Sequence, residues 1–370
     1  MPPLGLLARL GNFAMTANFL TGPVALRPEV HAAFRSAPIS HRELEFLDMM
    51  SRTRASLNAL VNASHVALLV GSGTLANDAV AAQIRSIGGP GMVLSNGEFG
   101  ERLIDHARRW ELAFTAEEQR WGNAFDWQRV RQAAERCQPK WIWAVLTETS
   151  TGVANPMAEL VALSEHLDAD LCLDAVSAIG LMPVDLRHAR FATAVSGKGL
   201  ASFPGLAAVF HDGRLASPDR IPRYLDLANY EAADSVPFTH SSNLLAALDR
   251  SLALTHWPQK FEDVRKKSKI LRDALRSHGL PPLALDAHAA PGIVTLAIPA
   301  AISAADVALA LAAQDMQVAC HSRYLQQRNW LQICLMGELD EVALRLLPAA
   351  LAGPVTTAIG RSPRPFSATS

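Results

Sequence analysis

The sequence has few cysteines and almost no excess of either charge. Four of its 370 residues are cysteine, and no two of them form a C-x-x-C pair. Their scattered placement argues against a disulfide framework or a zinc site, so we expect reduced thiols in a cytoplasmic protein and no bound metal. The formal net charge of −1 argues against nucleic-acid binding, which requires a basic face or stripe.

Long apolar segments are also missing. No uninterrupted apolar run reaches the roughly 18 residues of a membrane span. The first residues, "MPPLGLLARLGNFAM", lack the order of basic, apolar and small residues that marks a signal peptide. We therefore expect neither a membrane segment nor a membrane partner.

The first half of the chain alternates short apolar runs with helical patterns. The runs are typical of buried strands and are "HVALLV" (65–70), "GMVLS" (91–95), "ELAFT" (111–115), "KWIWAVLTE" (140–148), "DLCLDAV" (170–176), "FATAVS" (191–196) and "LAAVFH" (206–211). This alternation predicts an α/β fold with a mostly parallel central sheet covered by helices on both faces. Ligands of such sheets bind beyond the carboxyl ends of the strands.

The second half has a different pattern, with long helices and a few short strands. It predicts a smaller α+β domain packed against the large one, as expected for a chain that is long for a single core. We predict an N-terminal segment (1–20), a large domain (21–245), a small C-terminal domain (246–358) and a disordered tail (359–370).

Reactive residue types follow several of these strands. A "GSGT" turn (71–74) joins the first strand to a helix, where free backbone N–H groups suit a phosphate. This feature is weak evidence by itself, because it matches neither a P-loop nor G-x-G-x-x-G. Asp174 ends the strand "LCLD", and Lys198 lies in "SGKGLASFPG" (196–205) after the strand at 191–196.

Asp174 and Lys198 each have an ordinary interpretation. The aspartate could cap a turn, and the lysine could be a solvated loop residue. Together with a phosphate turn they match pyridoxal phosphate, which needs a Schiff-base lysine, an acidic partner for its ring nitrogen and a phosphate cup. The combination is far more specific than any one part.

The chain resembles the class V aminotransferases of pyridoxal-phosphate fold type I, in particular the alanine/serine–glyoxylate and 2-aminoethylphosphonate–pyruvate aminotransferases. The matching segments follow family order and include "LTGPVALRPEV", "GSGTLANDA", "NGEFGER", "TETSTGVANP", "LCLDAVSAIGLMPVDL", "SGKGLASFPGLAAV" and "ICLMGELDE". The resemblance implies a large domain with a mostly parallel sheet, a smaller C-terminal α+β domain, pyridoxal 5′-phosphate as cofactor and a homodimer with shared active sites.

The resemblance also implies a role for each matching residue. Lys198 would carry the cofactor and shuttle the proton, and Asp174 would hold the protonated ring nitrogen. The other cofactor-binding residues would be Ser72, Gly73, Thr74 and Ser196 at the phosphate, Phe99 and Val176 on the ring faces, Thr149 at the ring hydroxyl, and Thr239 at the phosphate of the neighbouring subunit. Core packing is the ordinary alternative for Phe99 and Val176, and helix capping for Thr74 and Thr239.

Two positions depart from the family pattern. Gly197 stands where the family usually has Gln or Asn for the phosphate. Gln332 stands where a basic residue usually grips the substrate carboxylate, and an amide cannot supply that charge. Either Arg42, Arg323 or Arg328 takes over, with Arg328 preferred, or the amino donor lacks an ordinary α-carboxylate.

Three functions remain open from the sequence. The leading one is an aminotransferase that moves an amino group from a small amino acid or aminophosphonate to pyruvate or glyoxylate. The second is a lyase or desulfurase of the same fold, which Cys320-His321 suggests, although a buried inert cysteine is more common. The third is a degenerate, non-catalytic relative, and the presence of both Lys198 and Asp174 argues against it.

Overall fold

The structure is a computed structural model that describes residues 16–215 and 221–361. Its strands are β1 (Ala17–Phe19), β2 (His65–Val70), β3 (Gly91–Ser95), β4 (Phe114–Glu118), β5 (Trp141–Val145), β6 (Thr147–Glu148), β7 (Val153–Ala154), β8 (Asp170–Asp174), β9 (Phe191–Val195), β10 (Leu206–His211), β11 (Ile293–Ala297), β12 (Met316–Val318) and β13 (Trp330–Cys334). Its helices are α1 (Pro28–Phe34), α2 (Leu44–Val61), α3 (Gly73–Ile87), α4 (Glu98–Arg109), α5 (Trp127–Cys137), α6 (Met157–Leu167), α7 (Leu227–Ala232), α8 (Ser242–Leu254), α9 (Trp257–Ser277), α10 (Ala304–Ala312), α11 (Arg323–Arg328) and α12 (Glu341–Arg361).

A seven-stranded sheet in the order β2-β10-β9-β8-β5-β3-β4 forms the centre of the large domain. All neighbouring strands are parallel except at β10, which runs antiparallel to both β2 and β9. The predicted α/β class and mostly parallel sheet are confirmed. Because β10 is reversed, its amino end lies at the same sheet edge as the carboxyl ends of the other strands. The residues just before Leu206 therefore reach that edge.

Two apolar cores cover the sheet, one on each face. The larger includes Leu68, Ile142 and Leu173 with apolar residues of α2, and the other includes Leu69 and Trp143 with apolar residues of α3 and α4. Strands buried on both faces read as continuous apolar runs in the sequence. Three of them, β2, β3 and β10, coincide with the predicted runs.

The strand expected at 111–115 begins three residues later, at Phe114. Glu111 has a φ of 52°, and the N–H of Leu112 donates to the carbonyl of Ala107 at 2.9 Å. This left-handed turn terminates α4. The chain cannot enter the sheet until the turn is complete.

The C-terminal region has its own apolar core, built on the pairs β11–β13 and β1–β12. Ala17 and Phe19 belong to this core, so the segment that precedes the large domain pairs with the small one. The boundary expected at residue 246 lies inside α8, whose Leu248 and Leu252 pack in the core of the large sheet. The core of the large domain therefore includes residues beyond 246, at least as far as Leu252.

The last described helix extends into the expected tail. The expected disordered tail begins at 359, where the structure has the end of α12 (359–361), and 362–370 lie outside the described residues. Within the described part, the stretch Glu341–Gly360 has the length and mean hydropathy of a membrane-spanning helix, with 33% of its most apolar window buried. Its Leu347 and Leu351 are fully buried in the C-terminal core, which accounts for part of that apolar character.

Candidate active site

A cavity of about 540 Å³ opens at the carboxyl edge of the central sheet. It is lined by Thr21, Gly22, Pro23, Gly71, Ser72, Gly73, Thr74, Asn77, Phe99, Arg102, His106, Asp174, Val176, Val195, Gly197, Lys198, Pro204 and Gly205. Seven of the predicted site residues are among them: Ser72, Gly73, Thr74, Phe99, Asp174, Val176 and Lys198. Pro204 and Gly205 reach it because they precede the reversed strand β10.

Asp174 is held at the end of β8 by two hydrogen bonds. The Asn77 side chain donates to its Oδ2 at 2.8 Å, and the backbone N–H of Val176 donates to its Oδ1 at 3.0 Å. Thr193 in turn donates from its Oγ1 to Asn77 Oδ1 at 3.1 Å, which fixes the amide with its NH₂ group towards the carboxylate. The carboxylate is only 6% exposed, yet both of its oxygens are satisfied from the protein.

Lys198 belongs to a short hydroxyl network on the same edge. Its Nζ donates to Ser177 Oγ at 2.9 Å, and Thr149 Oγ1 donates to the same oxygen at 2.5 Å. Burial lowers the pKa of Lys198, and the nearby carboxylate of Asp174 acts in the opposite direction. An amine with a lowered pKa is more often neutral and therefore nucleophilic.

The amino end of α3 lines the same cavity as the lysine. A Cβ atom at Gly73 would lie 3.2 Å from Val176 Cγ2, so a larger residue would press into Val176. Ser72 is the N-cap residue, and its side chain makes no capping bond. Ser72, Gly73 and Thr74 all line the cavity, so the helix N-terminus and two hydroxyl-bearing residues lie beside it, in an arrangement suited to an anion.

Glu148 lies outside the cavity lining and positions the part of the cavity wall that α4 forms. It is completely buried, and its carboxylate accepts the backbone N–H groups of Phe99 at 3.4 Å and Gly100 at 3.1 Å, together with the hydroxyl of Ser150 at 2.5 Å. Burial raises the pKa of Glu148, and these hydrogen bonds oppose the rise. The carboxylate therefore holds the first turn of α4, and with it the Phe99 ring, at the cavity.

Sequence and structure comparisons agree with this geometry. No family model matches the chain. A soluble hydrogenase 42 kDa subunit of Anabaena cylindrica is 31% identical over 76% of this chain and 78% of its own length. A 2-aminoethylphosphonate–pyruvate transaminase of Pseudomonas putida is 31% identical over 64% of this chain and 68% of its own length. The crystal structure of an alanine–glyoxylate aminotransferase from Nostoc sp. superposes with a TM-score of 0.82 at 25% identity, covering 91% of this chain and 94% of that one. The chain belongs to the class V aminotransferases.

Class V aminotransferases use pyridoxal 5′-phosphate, and this is the cofactor of the chain. The cavity has the groups that this cofactor requires, an amine at Lys198, a carboxylate acceptor at Asp174 and a helix N-terminus at Gly73. Phe99 and Val176 supply the apolar surface for an aromatic ring. The residues present therefore fit the cofactor.

The absence of a phosphate-binding side chain at position 197 has a steric cause. A Cβ atom on Gly197 would lie 2.9 Å from both Cα and Cβ of Pro204. The backbone of the lysine turn packs directly against the loop before β10. Position 197 cannot accept the family's usual Gln or Asn without moving that loop.

Ser196, Thr149 and Thr239 do not line the cavity. The hydroxyl of Ser196 donates to the carbonyl of Phe203 at 2.6 Å, so it ties together the loop after the lysine, and its predicted contact with a phosphate stays a prediction. Thr149 reaches Lys198 through Ser177, and its predicted contact with the ring hydroxyl stays a prediction. Thr239 is exposed, and its predicted contact with a neighbouring subunit also remains a prediction.

Gln332 is buried, and its side-chain amide is hydrogen-bonded to other groups of the protein. Its Nε2 donates to the carbonyl of Thr149 and, at 2.9 Å, to Thr295 Oγ1, while its Oε1 accepts from the Tyr324 hydroxyl at 2.8 Å. The side chain has no exposed surface. It lies outside the cavity lining, in contrast to the predicted substrate contact, and links β13 to the segment that carries Thr149.

The arginines expected to replace the missing basic residue also lie outside the cavity. The guanidinium of Arg328 stacks 3.8 Å from the ring centroid of Trp121, and Arg42 donates to the carbonyl of Val236 at 3.1 Å. Arg323 is exposed at the start of α11. The arginine that the described structure brings to the cavity is Arg102, three residues after Phe99, and helical spacing is the signal that could have identified it.

Cys320 lacks the environment of a catalytic thiol. It is 1% exposed and packs in the C-terminal apolar core, and burial raises its pKa. A nucleophilic cysteine needs an accessible, electropositive setting. The desulfurase alternative is therefore not favoured.

Proposed function

We propose that the chain transfers an amino group from a small amino acid or aminophosphonate to a 2-oxo acid, with pyruvate or glyoxylate as acceptor. The observation that carries the proposal is the meeting of Lys198, Asp174 and the amino end of α3 in one cavity. The substrate class is supported by the relatives named 2-aminoethylphosphonate–pyruvate transaminase and by the alanine–glyoxylate aminotransferase structure.

The chain's own residues divide the work of such a transfer. The Lys198 amine, made more nucleophilic by burial, holds the cofactor aldehyde and, once released by the substrate, moves a proton at the carbon that carries the amino group. The Asp174 carboxylate, oriented by Asn77, pairs with the protonated ring nitrogen. When bound, the cofactor withdraws electrons from the substrate carbon. Phe99 and Val176 exclude water from the two faces of the site.

Trapping with borohydride tests the role of Lys198. Wild-type protein incubated with pyridoxal phosphate and reduced should carry the cofactor mass on the peptide that contains residue 198. Lys198→Ala should lose the adduct. Lys260→Ala is the matched control, because Lys260, like Lys198, is a half-buried lysine but lines a different cavity, and it should keep the adduct at position 198. An adduct that survives Lys198→Ala would refute the assignment.

The substrates are tested with a panel of donors and acceptors. Small α-amino acids, aminophosphonates and amines without a carboxylate are each mixed with the holoenzyme, and conversion of the cofactor to its amino form is followed by absorbance. A transaminase needs pyruvate or glyoxylate to return to its starting spectrum. Turnover without any 2-oxo acid would favour lyase chemistry, and no spectral change with any donor would favour the non-catalytic alternative.

We also propose a cytoplasmic homodimer in which Thr239 reaches the neighbouring cavity. The exposure of Thr239 and the family relationship support the proposal. Sedimentation velocity of the holoenzyme gives the oligomeric state. Thr239→Ala should lower the affinity for pyridoxal phosphate more than the affinity for pyridoxal, because the predicted contact is to the phosphate. An equal loss of affinity for both compounds would contradict the predicted contact.

A further inference from the structure

Arg102 is the arginine that faces the cavity within the described part of the chain. It lies on α4 one turn after Phe99, so both side chains project from the same face of the helix. Its guanidinium carbon is 4.8 Å from the Phe99 ring centroid, and 51% of its side chain is exposed. The group is therefore anchored on the cavity wall and still accessible from within it.

We propose that Arg102 binds the anionic group that enters this cavity, through a phosphate, phosphonate or carboxylate oxygen. The inference rests on the proposed function, because that function brings two such anions to the site, the cofactor phosphate and the acidic end of the substrate. No role was predicted for this residue from the sequence.

Apart from Lys198, which would hold the cofactor, Arg102 is the lysine or arginine that lines the cavity within the described part of the chain. The amino end of α3 offers backbone N–H groups and neutral hydroxyls, and Gly197 adds no side chain. Gln332 is uncharged and lies outside the lining, and Arg42 and Arg328 are bound elsewhere. His106 faces the cavity, but its Nδ1 is paired with Asp78 at 2.8 Å. An anion in a partly dehydrated site requires a compensating charge, and Arg102 is placed to provide it.

The position of Arg102 relative to Lys198 supports this role. The Lys198 Nζ lies 5.3 Å from the centroid of the same Phe99 ring, so the two cationic groups share one aromatic neighbour. Burial is the main cause of the lowered pKa of Lys198, and the charge of Arg102 also contributes to it. A guanidinium here therefore favours the reactive neutral amine as well as the anion.

Arg102 already pairs with one carboxylate, that of Glu98. Arg102 Nε donates to Glu98 Oε1 at 3.0 Å across one helical turn. This carboxylate would compete with any anion in the cavity, so Glu98→Gln should strengthen anion binding. That direction is informative, because removal of a purely structural ion pair would not tighten a ligand.

The test compares Arg102→Gln with Arg109→Gln, a matched control on the same helix. Arg109 also forms an i,i+4 pair, with Asp105 at 2.6 Å, but lies outside the cavity lining. Equilibrium titrations measure apoenzyme affinity for pyridoxal phosphate and for pyridoxal, which lacks the phosphate. Half-reactions of the holoenzyme measure the affinity for a carboxylate donor, a phosphonate donor and an uncharged amine.

If the partner is the cofactor phosphate, Arg102→Gln weakens the binding of pyridoxal phosphate by roughly 10- to 100-fold more than it weakens the binding of pyridoxal. If the partner is the substrate, the affinities for pyridoxal phosphate and pyridoxal change equally, and the anionic donors lose affinity by a similar factor while the uncharged amine does not. Unchanged affinities in both series, or equal losses in Arg109→Gln, would overturn the proposal. Wild type that binds no pyridoxal phosphate would refute the proposed function itself, whatever the variant does.

Discussion

The Asn77 amide donates to Oδ2 of Asp174 at 2.8 Å and is itself held by the Thr193 hydroxyl. Asn77 lies on α3, Asp174 ends β8, and Thr193 is on β9. The helix whose amino end lines the cavity therefore also orients the acid in the same cavity. One packed element thus fixes two separate parts of the site.

Asn77→Ala should lower activity without unfolding the protein. Loss of a hydrogen bond to a charged group is worth about 1.5–3 kcal/mol, so we expect a loss of roughly 10- to 100-fold in kcat/KM. Thr193→Val keeps the amide but removes its support, and should show a smaller loss. Activity in both variants that equals wild type, with normal cofactor absorbance, would mean that Asp174 needs no orientation.

Gln332→Leu should destabilise the protein more than it changes substrate affinity. The substitution removes the Gln332 partner of the Thr149 carbonyl and of the Tyr324 hydroxyl, whereas the Thr295 hydroxyl keeps its bond to the Ser150 carbonyl; buried unpaired groups cost about 1–3 kcal/mol each. We expect the free energy of unfolding to fall by about 2–4 kcal/mol, and Tyr324→Phe, which removes one of these bonds, to lose about 1 kcal/mol. A large rise in KM for carboxylate donors with little loss of stability would instead restore Gln332 as a substrate ligand.

Much of the site could be predicted because its parts follow strands. Lys198 and Asp174 come directly after apolar runs, and the carboxyl ends of parallel strands meet at one sheet edge. Asn77 and Ser177 could not be found in this way, since their roles depend on which strand packs beside them. Arg328 shows the opposite failure. Its position just before the strand that carries Gln332 suggested a place near the site. In the structure its guanidinium instead stacks on Trp121, which is far from it in the sequence.

Restoring the family's usual residue at position 197 should not improve cofactor binding. A side chain there would press on Pro204 at 2.9 Å, and such overpacking typically costs about 1–3 kcal/mol. We expect Gly197→Gln to lower the unfolding free energy by that amount and to leave pyridoxal phosphate affinity equal or weaker. Gly353→Ala, where a Cβ meets no atom within 4 Å, is the control and should be neutral or slightly stabilising. Tighter cofactor binding in Gly197→Gln would show that the loop before β10 can move at little energetic cost.

A second half-buried lysine, Lys260, makes the stability of the fold depend on pH. Lys260 on α9 donates from Nζ to the carbonyl of Gly199 at 2.5 Å, next to the reactive lysine. Burial lowers the pKa of Lys260 from 10.5 to about 8, with Glu338 opposing the shift and Arg27 adding to it. The folded state therefore releases this proton at a lower pH than the unfolded state does.

Below about pH 8 both states hold the proton on Lys260, and the folded state bears the full cost of a partly dehydrated ammonium. Between about pH 8 and 10.5 the unfolded state binds more protons, so the contribution of this group to stability rises with pH. Buried thiols and tyrosines titrate in the same range with the opposite sign, and the comparison with Lys260→Met removes their effect because both proteins share them. Chemical unfolding across this range should show that the stability of wild type relative to Lys260→Met increases with pH. A constant difference would mean that Lys260 keeps its ordinary pKa, and then the amine beside Gly199 would be solvated and would not anchor the lysine turn.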